Sequence, residues 1–389
     1  MTTRRHVLTV LAAAPALTAC GGEHLPDPTA AWRNPGAGEH DPRRFALAHA
    51  ILAPNPHNTQ PWLVTLEGDD GMTLYCDLTR RLPFTDPLDR QITIGCGAFV
   101  ELYRLAARQL GFAPVVSPFP EGESSPRLDA KPVAHVALGA RSNASTDPLF
   151  AHIAARRTNR NPYDTARVPH LADLRGLADA AYERGAEVEW ATEPERVARL
   201  RGLIWRAFDR EMHTPGALAE TYGWLRFGHD EVVRHRDGLA VEGPLIGPAK
   251  FLAMFSRANM LNPNSEANKQ ALQQWRQKID ASPAFAWLSM QEDDDTPTGR
   301  LTAGMAYARM NLAATAAGLA LHPWSQGLQE YREMADIRSA LRIALQNGEN
   351  FPHMLVRVGY ADPVEPAARR GVDALFGNAA GRAQQSERD

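Results

Sequence analysis

The sequence predicts an α+β fold in which one chain forms two similar halves around a shared core. Two segments of equal length, residues 97–111 and 304–318, carry Leu-Ala-Ala at the same offset and end in glycine, as helices often do. Both are apolar on most sides, which is typical of helices at the centre of a fold. A chance similarity of two alanine-rich helices is the alternative. The length of 389 residues is sufficient for two half-domains.

The first twenty residues resemble an export signal. Arg4 and Arg5 precede an apolar run, residues 7–19, which is too short to span a bilayer comfortably. The run ends in Leu-Thr-Ala-Cys, so the segment resembles a twin-arginine signal joined to a lipoprotein box, with Cys20 as the lipidated residue. An ordinary secretory signal is the alternative. We expect export by the twin-arginine route and a lipid anchor, in the periplasm or on the outer face of the membrane.

Residues 21–40 are rich in glycine, proline and charge, and we expect them to form a flexible tether. The first half then covers residues 41–145. It begins with an amphipathic helix that Asp41 caps. A hairpin around residues 68–71, a long helix and two further strands follow it.

The second half covers residues 146–376. We expect it to open with a helix over residues 146–160, and residues 212–283, which are less regular, are a candidate lid insertion. The tail, residues 377–389, is expected to be disordered. The remaining predicted elements of this half are helices over 170–184, 193–211, 301–324 and 333–345, and strands over 186–191, 284–291 and 353–361.

Composition excludes several functions. The net charge of −3, with basic and acidic residues intermixed, does not form a basic face for nucleic acid. The 13 histidines show no metal-ligand spacing, and no Gly-x-Ser-x-Gly motif or glycine-rich phosphate loop is present. Any phosphate must therefore be held by side chains. Cys76 and Cys96 form either one bridge or, as we favour, two buried free thiols.

Two groups of arginines are candidates for binding an anion. Arg156, Arg157 and Arg160 lie within five residues around Thr158, and a guanidinium offers paired N–H donors that match a phosphate. A solvated basic helix end is the alternative. Arg369 and Arg370 form a second basic pair near the C-terminus.

Two loops carry polar and aromatic residues that suit a planar, polar ligand. The sequence APNPHNTQPW, residues 53–62, combines donors and acceptors within one short segment. The sequence HPWSQG, residues 322–327, follows the second central helix and packs proline, tryptophan, serine and glutamine into one turn. His57 is either a proton donor or an anchor of the first loop, and we favour the anchor.

These segments together resemble the nitroreductase superfamily of flavin enzymes, and more closely its Acg-like branch, in which one chain imitates the usual homodimer. The resemblance implies antiparallel-rich sheets flanked by helices, with central buried helices. It implies FMN as the cofactor. The FMN-binding residues that it implies are Arg156, Arg157, Thr158, Arg160, Asn58, Thr59, Gln60, Trp62, Pro323, Trp324, Ser325, Gln326, Arg369 and Arg370.

The resemblance also implies a function. We expect an exported FMN-dependent oxidoreductase that reduces a small nitroaromatic or quinone-like acceptor through flavin N5, with no catalytic side chain. NAD(P)H is a candidate donor, and the export signal leaves the donor open. Only one full set of motifs is present, so we expect one FMN per chain and a monomeric pseudo-dimer. A flavoprotein that sequesters FMN under a lid with little turnover is the alternative. A lipoprotein scaffold without cofactor is a third.

Overall fold

The computed structural model describes residues 27–141, 146–242, 259, 261–290, 295–345 and 350–377. Residues 1–26 with the signal and Cys20, residues 243–258 and 260 of the candidate lid, and residues 378–389 lie outside these ranges. In the part that is described, no helix combines the length and apolar character needed to cross a membrane.

The first half is a four-stranded antiparallel sheet with two helices. Its strands have the order β1-β2-β4-β3, and the β1–β2 pair confirms the predicted hairpin. Helices α1 and α2 pack against each other beside the sheet. The elements are α1 (Pro42–Ala50), β1 (Trp62–Glu67), β2 (Gly71–Cys76), α2 (Arg90–Gln109), β3 (Val115–Pro118) and β4 (Pro132–Ala137).

The second half repeats this plan and adds an insertion. Its main sheet has the order β5-β8-β10-β9 with every pair antiparallel. The elements are α3 (Leu171–Tyr182), β5 (Ala186–Ala191), α4 (Pro194–His213), α5 (Pro215–Gly223), β6 (Leu225–Phe227), α6 (His229–His235), β7 (Leu239–Val241), α7 (Glu266–Asp280), β8 (Ala284–Met290), α8 (Pro297–Ala316), β9 (Ala320–Pro323), α9 (Ala335–Leu345) and β10 (Pro352–Gly359).

The two halves have the same topology. Helix, two strands, central helix and two strands follow one another as α1-β1-β2-α2-β3-β4 and as α3-β5-β8-α8-β9-β10. The second half adds α4 to α7 between β5 and β8, and α9 between β9 and β10. The strand order is also the same in the two sheets. The α+β class and the two-half arrangement predicted from the sequence are confirmed.

The halves meet where the central helices α2 and α8 cross. A Cβ on Gly97 would lie 1.9 Å from the carbonyl oxygen of Leu301 and 2.9 Å from the Cα of Gly304. A Cβ on Gly304 would lie 2.0 Å from the carbonyl oxygen of Ile94 and 2.9 Å from the Cα of Gly97. Each carbonyl comes from the residue three positions before the partner glycine, so the contact has local two-fold symmetry, as the internal repeat predicts.

Two predicted helices differ from the structure. The helix over 146–160 is only a 3₁₀ turn, Pro148–His152, and residues 156–160 are irregular. Asn161 precedes a proline, which disfavours helical backbone there, and Asn159 instead donates its N–H to Leu321 in β9. The helix over 301–324 ends at Ala316 because Gly318 adopts a φ of +68°. Residues 320–323 are therefore a strand, and the HPWSQG segment begins in β9 and continues into the turn after it.

Part of the expected tether is packed on the fold. Trp32 lies in a 3₁₀ turn, is 5% exposed, and donates its Nε1–H to the carbonyl oxygen of Ala367 at 2.7 Å. The N–H of Arg369 bonds Pro28 in return. Residues 27–33 thus dock on the segment that leads to the C-terminal arginine pair, and a flexible tether is not the right description for them. Cys76 and Cys96 are buried free thiols, as favoured from the sequence.

Candidate functional site

The loop between α1 and β1 has an unusual backbone. His57, Asn58 and Gln60 have φ values of +48°, +53° and +51°. Residues other than glycine seldom adopt this left-handed region, and each instance costs about 1–3 kcal/mol that surrounding contacts must offset. Backbone strain of this kind concentrates at binding and catalytic sites. The loop is therefore the first candidate for function.

The C-terminal arginine pair holds this loop in place. The guanidinium of Arg369 donates to the carbonyl oxygens of Ile51 and Ala53 at 2.8 and 3.2 Å and to Oδ1 of Asn58 at 2.7 Å. Arg370 bonds Gln60 twice, through its backbone N–H to Oε1 at 2.9 Å and through Nη2 to the carbonyl oxygen at 2.6 Å. Both arginines thus fix the loop from a segment about 310 residues away in sequence.

The insertion covers the same loop from the other side. Asn58 Nδ2 donates to the carbonyl oxygen of Gly238 at 3.0 Å, and the N–H of Gly238 donates to the carbonyl oxygen of Asn58. Gln60 Nε2 donates to the carbonyl oxygen of Arg236 at 2.9 Å. The amides of Asn58 and Gln60 are thus bonded to protein groups. The hydroxyl of Thr59, fully buried and without a protein partner, is the loop's free polar atom.

The arginine segment of the second half meets this loop. Arg156 is 2% exposed and donates from Nη2 to the carbonyl oxygen of Leu52 at 3.0 Å, while its Nε and Nη1 are buried without a partner. Arg357 in β10 fixes the chain beyond it by donating to the carbonyl oxygens of Asn159 and Asn161 at 3.2 and 2.8 Å. The segment is therefore rigid, and part of the Arg156 guanidinium is left for a ligand.

Four of these residues form an arginine cluster, defined as Arg156, Arg157, Arg160 and Arg369. None of the four contacts a carboxylate of the described chain. Glu365 is close enough for its charge to act on Arg157, but it forms no ion pair with it. Buried Arg357 also lacks an ion pair with a described residue and bonds backbone carbonyl oxygens. Several other buried arginines have acidic partners: Arg309 with Glu101 and Asp147, Arg90 with Glu330, Arg226 with Asp237, and Arg300 with Asp295. Uncompensated buried charge is costly, so the cluster has the properties of an anion site.

The electrostatics of the cluster agree with its geometry. Burial, with the neighbouring charges of Arg157 and Arg160, lowers the pKa of Arg156 to about 10. Burial and the other three arginines hold the pKa of Arg369 well below its usual value. Each cation therefore destabilises the others, and a bound dianion would relieve that repulsion.

Arg160 lies where the two loops approach. Its charge adds to burial in lowering the pKa of His57, to about 4, and in lowering the pKa of His322 of β9. It is half-buried and makes no hydrogen bond or ion pair to a described side chain. Among the candidate residues, Arg160 is thus placed between the loop of the first half and the strand that leads into HPWSQG.

The two tryptophans are packed in the hydrophobic cores, and the HPWSQG turn is bonded to β10. Trp62 is fully buried against Phe99 in the core of the first half. Trp324 lies in the core of the second half, edge-on to Phe208 at 5.7 Å. Ser325 exchanges hydrogen bonds with the backbone of Leu355 at 3.0 and 3.1 Å. In this turn and the strand before it, Gln326 Oε1 and His322 Nδ1 are buried polar atoms without a partner. Pro323 and Thr158 are half-buried.

The donor set fits a phosphate-bearing cofactor. Two orphaned guanidinium nitrogens of Arg156 and the unpaired guanidinium of Arg160 offer charge-assisted donors. The Thr59 hydroxyl and Gln326 Oε1 add neutral polar atoms within the two loops. By contrast, no group of three or more metal-ligating side chains occurs among the described residues.

Sequence reasoning missed Trp32 and its part in the site. The guanidinium carbons of Arg156, Arg157 and Arg369 lie 5.5, 4.6 and 5.0 Å from the centre of its ring, so the indole lies against the arginine cluster. Nothing in the glycine- and proline-rich composition around it indicated burial. Arg357 was also missed, because a strand position gives no sign of a polar role.

Replacing Trp32 with phenylalanine is expected to lower the free energy of unfolding by about 0.5–1.5 kcal/mol, because it removes the hydrogen bond to Ala367 and keeps a buried ring. Chemical denaturation at equilibrium measures the change. Trp205→Phe is the control, since the Trp205 indole makes no hydrogen bond to a described residue. Equal stability of Trp32→Phe and wild type would show that residues 27–33 are not docked.

A second copy of the arginine segment is absent from the first half. In the second half this segment precedes α3, and α1 is the equivalent helix of the first half. Residues 27–40, which precede α1, contain one arginine, Arg33, and it pairs with Asp27 at 2.6 Å. The described chain therefore has one arginine cluster of this kind.

Comparisons with known proteins find relatives by sequence. The chain is 33% identical over 346 residues, 86% of its length and 94% of the other, to a Mycobacterium tuberculosis protein named "Putative NAD(P)H nitroreductase acg". It is 27% identical over 336 residues, 84% and 88% of the two chains, to "Putative NAD(P)H nitroreductase Rv3131" of the same species. A solved FMN and NADPH-dependent nitroreductase, NfnB from Sphigopyxis, has a TM-score of 0.38 at 15% identity, covering 60% and 99% of the two chains. No protein-family model matches.

Proposed function

This chain belongs to the nitroreductase family, and from that premise we propose that it is an FMN-dependent oxidoreductase of nitroreductase type. One observation carries the proposal: the arginine cluster, with Arg156 and Arg369 buried and Arg157 and Arg160 half-buried, forms no ion pair with a described carboxylate and lies against the strained loop of the other half. A flavin mononucleotide has both the anionic phosphate that such a cluster suits and a polar ring edge. Bound FMN would supply hydride and electron transfer.

The residues of the chain have separate tasks in this proposal. Arg156 and Arg160 hold the phosphate, with Arg157 and Thr158 beside it. Arg369 and Arg370 keep the loop in its strained form, so that the Thr59 hydroxyl and the loop backbone face the ring. Asn58 and Gln60 act mainly by fixing the loop, because their amides are bonded to the protein. Trp62 and Trp324 support the two loops from the cores in which they are buried. Pro323, Ser325 and Gln326 form the turn of the second half.

The names of the relatives support the electron donor, and the acceptor is part of the proposal. Relatives carry NAD(P)H nitroreductase in their names, so we propose a reduced nicotinamide as donor. The acceptor is a small nitroaromatic or quinone-like compound. We also propose that one chain works alone, since its two halves already supply both sides of the site.

Export remains part of the proposal. Arg4-Arg5, the apolar run 7–19 and Cys20 support the twin-arginine route and a lipid anchor at Cys20, in the periplasm or on the outer face of the membrane. Folding before export would let the chain take up FMN in the cytoplasm. Replacement of both arginines by lysine, followed by cell fractionation, tests this route.

Storage of FMN with little turnover is the second candidate. It is favoured by the insertion, whose residues 236–238 bond the loop directly and cover it. The two functions differ in whether nicotinamide and the acceptor can reach the flavin ring.

Anaerobic addition of NADH or NADPH to the purified yellow protein is expected to bleach the flavin absorbance, and addition of a quinone is expected to restore it. Stopped-flow absorbance follows both steps. A flavin that stays oxidised under excess nicotinamide supports storage. A colourless protein that does not take up FMN would contradict both functions.

A further inference from the structure

A chain of three side chains connects the loop of the first half to the interior of the insertion. His57 Nε2 lies 3.2 Å from the hydroxyl of Thr221 in α5, and that hydroxyl donates to Oε1 of Glu211 in α4 at 3.1 Å. Glu211 is 3% exposed, and its Oε2 is buried without a partner. No part of the proposed cofactor site requires these contacts, and two of the three residues come from the inserted segment.

We propose that Glu211, Thr221 and His57 form a proton relay that delivers one proton to the electron acceptor. The proposal rests on the proposed function, because a quinone that accepts one hydride needs one proton to become a hydroquinone. The Glu211 carboxyl gives its proton to the Thr221 oxygen, and Thr221 passes its own proton to His57 Nε2. His57 then releases the proton on Nδ1 to the acceptor, which leaves Glu211 ionised until solvent protonates it again.

The hydrogen bonds couple the protonation state of Glu211 to the tautomer of His57. When Glu211 is ionised, Thr221 donates to it, and His57 must carry its proton on Nε2. When Glu211 is protonated on Oε1, it donates to Thr221, Thr221 donates to Nε2, and the ring proton sits on Nδ1. A proton on Oε2 would have no acceptor. The protonation state of the Glu211 carboxyl therefore sets the tautomer of His57. The charge of Arg160 also acts on His57 and lowers its pKa.

The titrating groups around the relay suit transfer near neutral pH. Burial, with the charge of Glu220 in α5, raises the pKa of Glu211 to about 7, against the opposing effect of its bond to Thr221. The Tyr331 hydroxyl faces Glu211 from the turn before α9. Burial and Arg160 keep His57 neutral, with a pKa of about 4. Glu211 is therefore protonated below about pH 7 and ionised above it, while His57 changes only its tautomer.

The first test uses the protein without cofactor. ¹⁵N NMR of the His57 ring is expected to show mainly Nδ1–H at pH 6 and mainly Nε2–H at pH 8. In Glu211→Gln and in Thr221→Val this change is expected to disappear, and His213→Gln, an exposed histidine of α4, is expected to retain it. A wild-type tautomer that does not change between pH 6 and 8, or a change that survives both variants, overturns the relay.

The second test measures how fast a quinone reoxidises the reduced flavin when the relay is interrupted. Reduced, FMN-loaded Glu211→Gln and Thr221→Val are expected to be reoxidised by a quinone about 100-fold more slowly than wild type, with FMN affinity within twofold of wild type. Reoxidation at the wild-type rate overturns the relay. If nicotinamide fails to reduce wild type, the proposed function fails on its own, and the tautomer measurement alone decides about the relay.

Discussion

Gly97→Ala and Gly304→Ala are each expected to lower the free energy of unfolding by at least about 3 kcal/mol. The added Cβ would lie about 2 Å from a backbone carbonyl oxygen of the opposite helix, at 1.9 Å for Gly97 and 2.0 Å for Gly304. A backbone atom has no rotamer by which to move away, so α2 and α8 must separate, and overpacking of this kind has costs at or above the usual 1–3 kcal/mol. Whole domains have only about 5–15 kcal/mol of stability, and urea denaturation measures the loss.

Gly176→Ala is the matched control for these variants. Gly176 lies within α3, and a Cβ added there meets nothing within 4 Å. Alanine is the better helix former, so this variant is expected to be more stable by about 0.5–1 kcal/mol. If all three variants had the same stability, the halves would not meet at the glycine crossing.

Arg156→Ala and Arg160→Ala are each expected to weaken FMN binding by about 10- to 150-fold. The estimate corresponds to the loss of one charge-assisted hydrogen-bonded contact of about 1.5–3 kcal/mol. The free energy of unfolding of the cofactor-free protein, in contrast, is not expected to fall. Arg156 is a buried cation without a carboxylate partner among the described residues, and its depressed pKa shows that folding disfavours its charge. Removing that charge should leave stability without FMN unchanged or raised.

The opposite responses separate a binding role from a structural one. Calorimetric titration with FMN gives the affinity, and denaturation of the cofactor-free protein gives the stability. Arg199→Ala, an exposed arginine of α4 outside the cluster, is expected to change neither quantity. Loss of stability together with full retention of FMN affinity would assign Arg156 to the fold and contradict the phosphate assignment.

The sequence predicted those features that are local or repeated. The hairpin of β1 and β2, the two central helices and most other elements follow from periodicity and turn residues. The prediction of a helix over 146–160 was wrong. Its alanines and arginines favour helix locally, but Asn159 and Arg357 bind the segment to the second sheet. Tertiary contacts of this kind have no local signature.

The candidate site was predicted in part for the same reason. Motifs pointed to the loop around Asn58 and to Arg156, and the structure brings these segments together. The hydrogen bonds of Asn58 to Gly238 and Arg369 span 180 and 311 residues. No local sequence pattern could therefore predict that the Asn58 amide is already hydrogen-bonded to the protein. The glycines noted in the sequence were Gly111 and Gly318, which end the repeated segments. The close approach of Gly97 to Gly304 was not predicted, because it depends on how two distant helices cross.

The central claim is that one chain holds one FMN in the arginine cluster between its two halves. Titration of the cofactor-free protein with FMN, followed by quenching of flavin fluorescence, measures the stoichiometry directly. We predict saturation at one FMN per chain in wild type and no saturable binding over the same concentrations in the Arg156→Ala/Arg160→Ala double variant. Two FMN per chain, or one FMN bound equally well by the double variant, would contradict the claim.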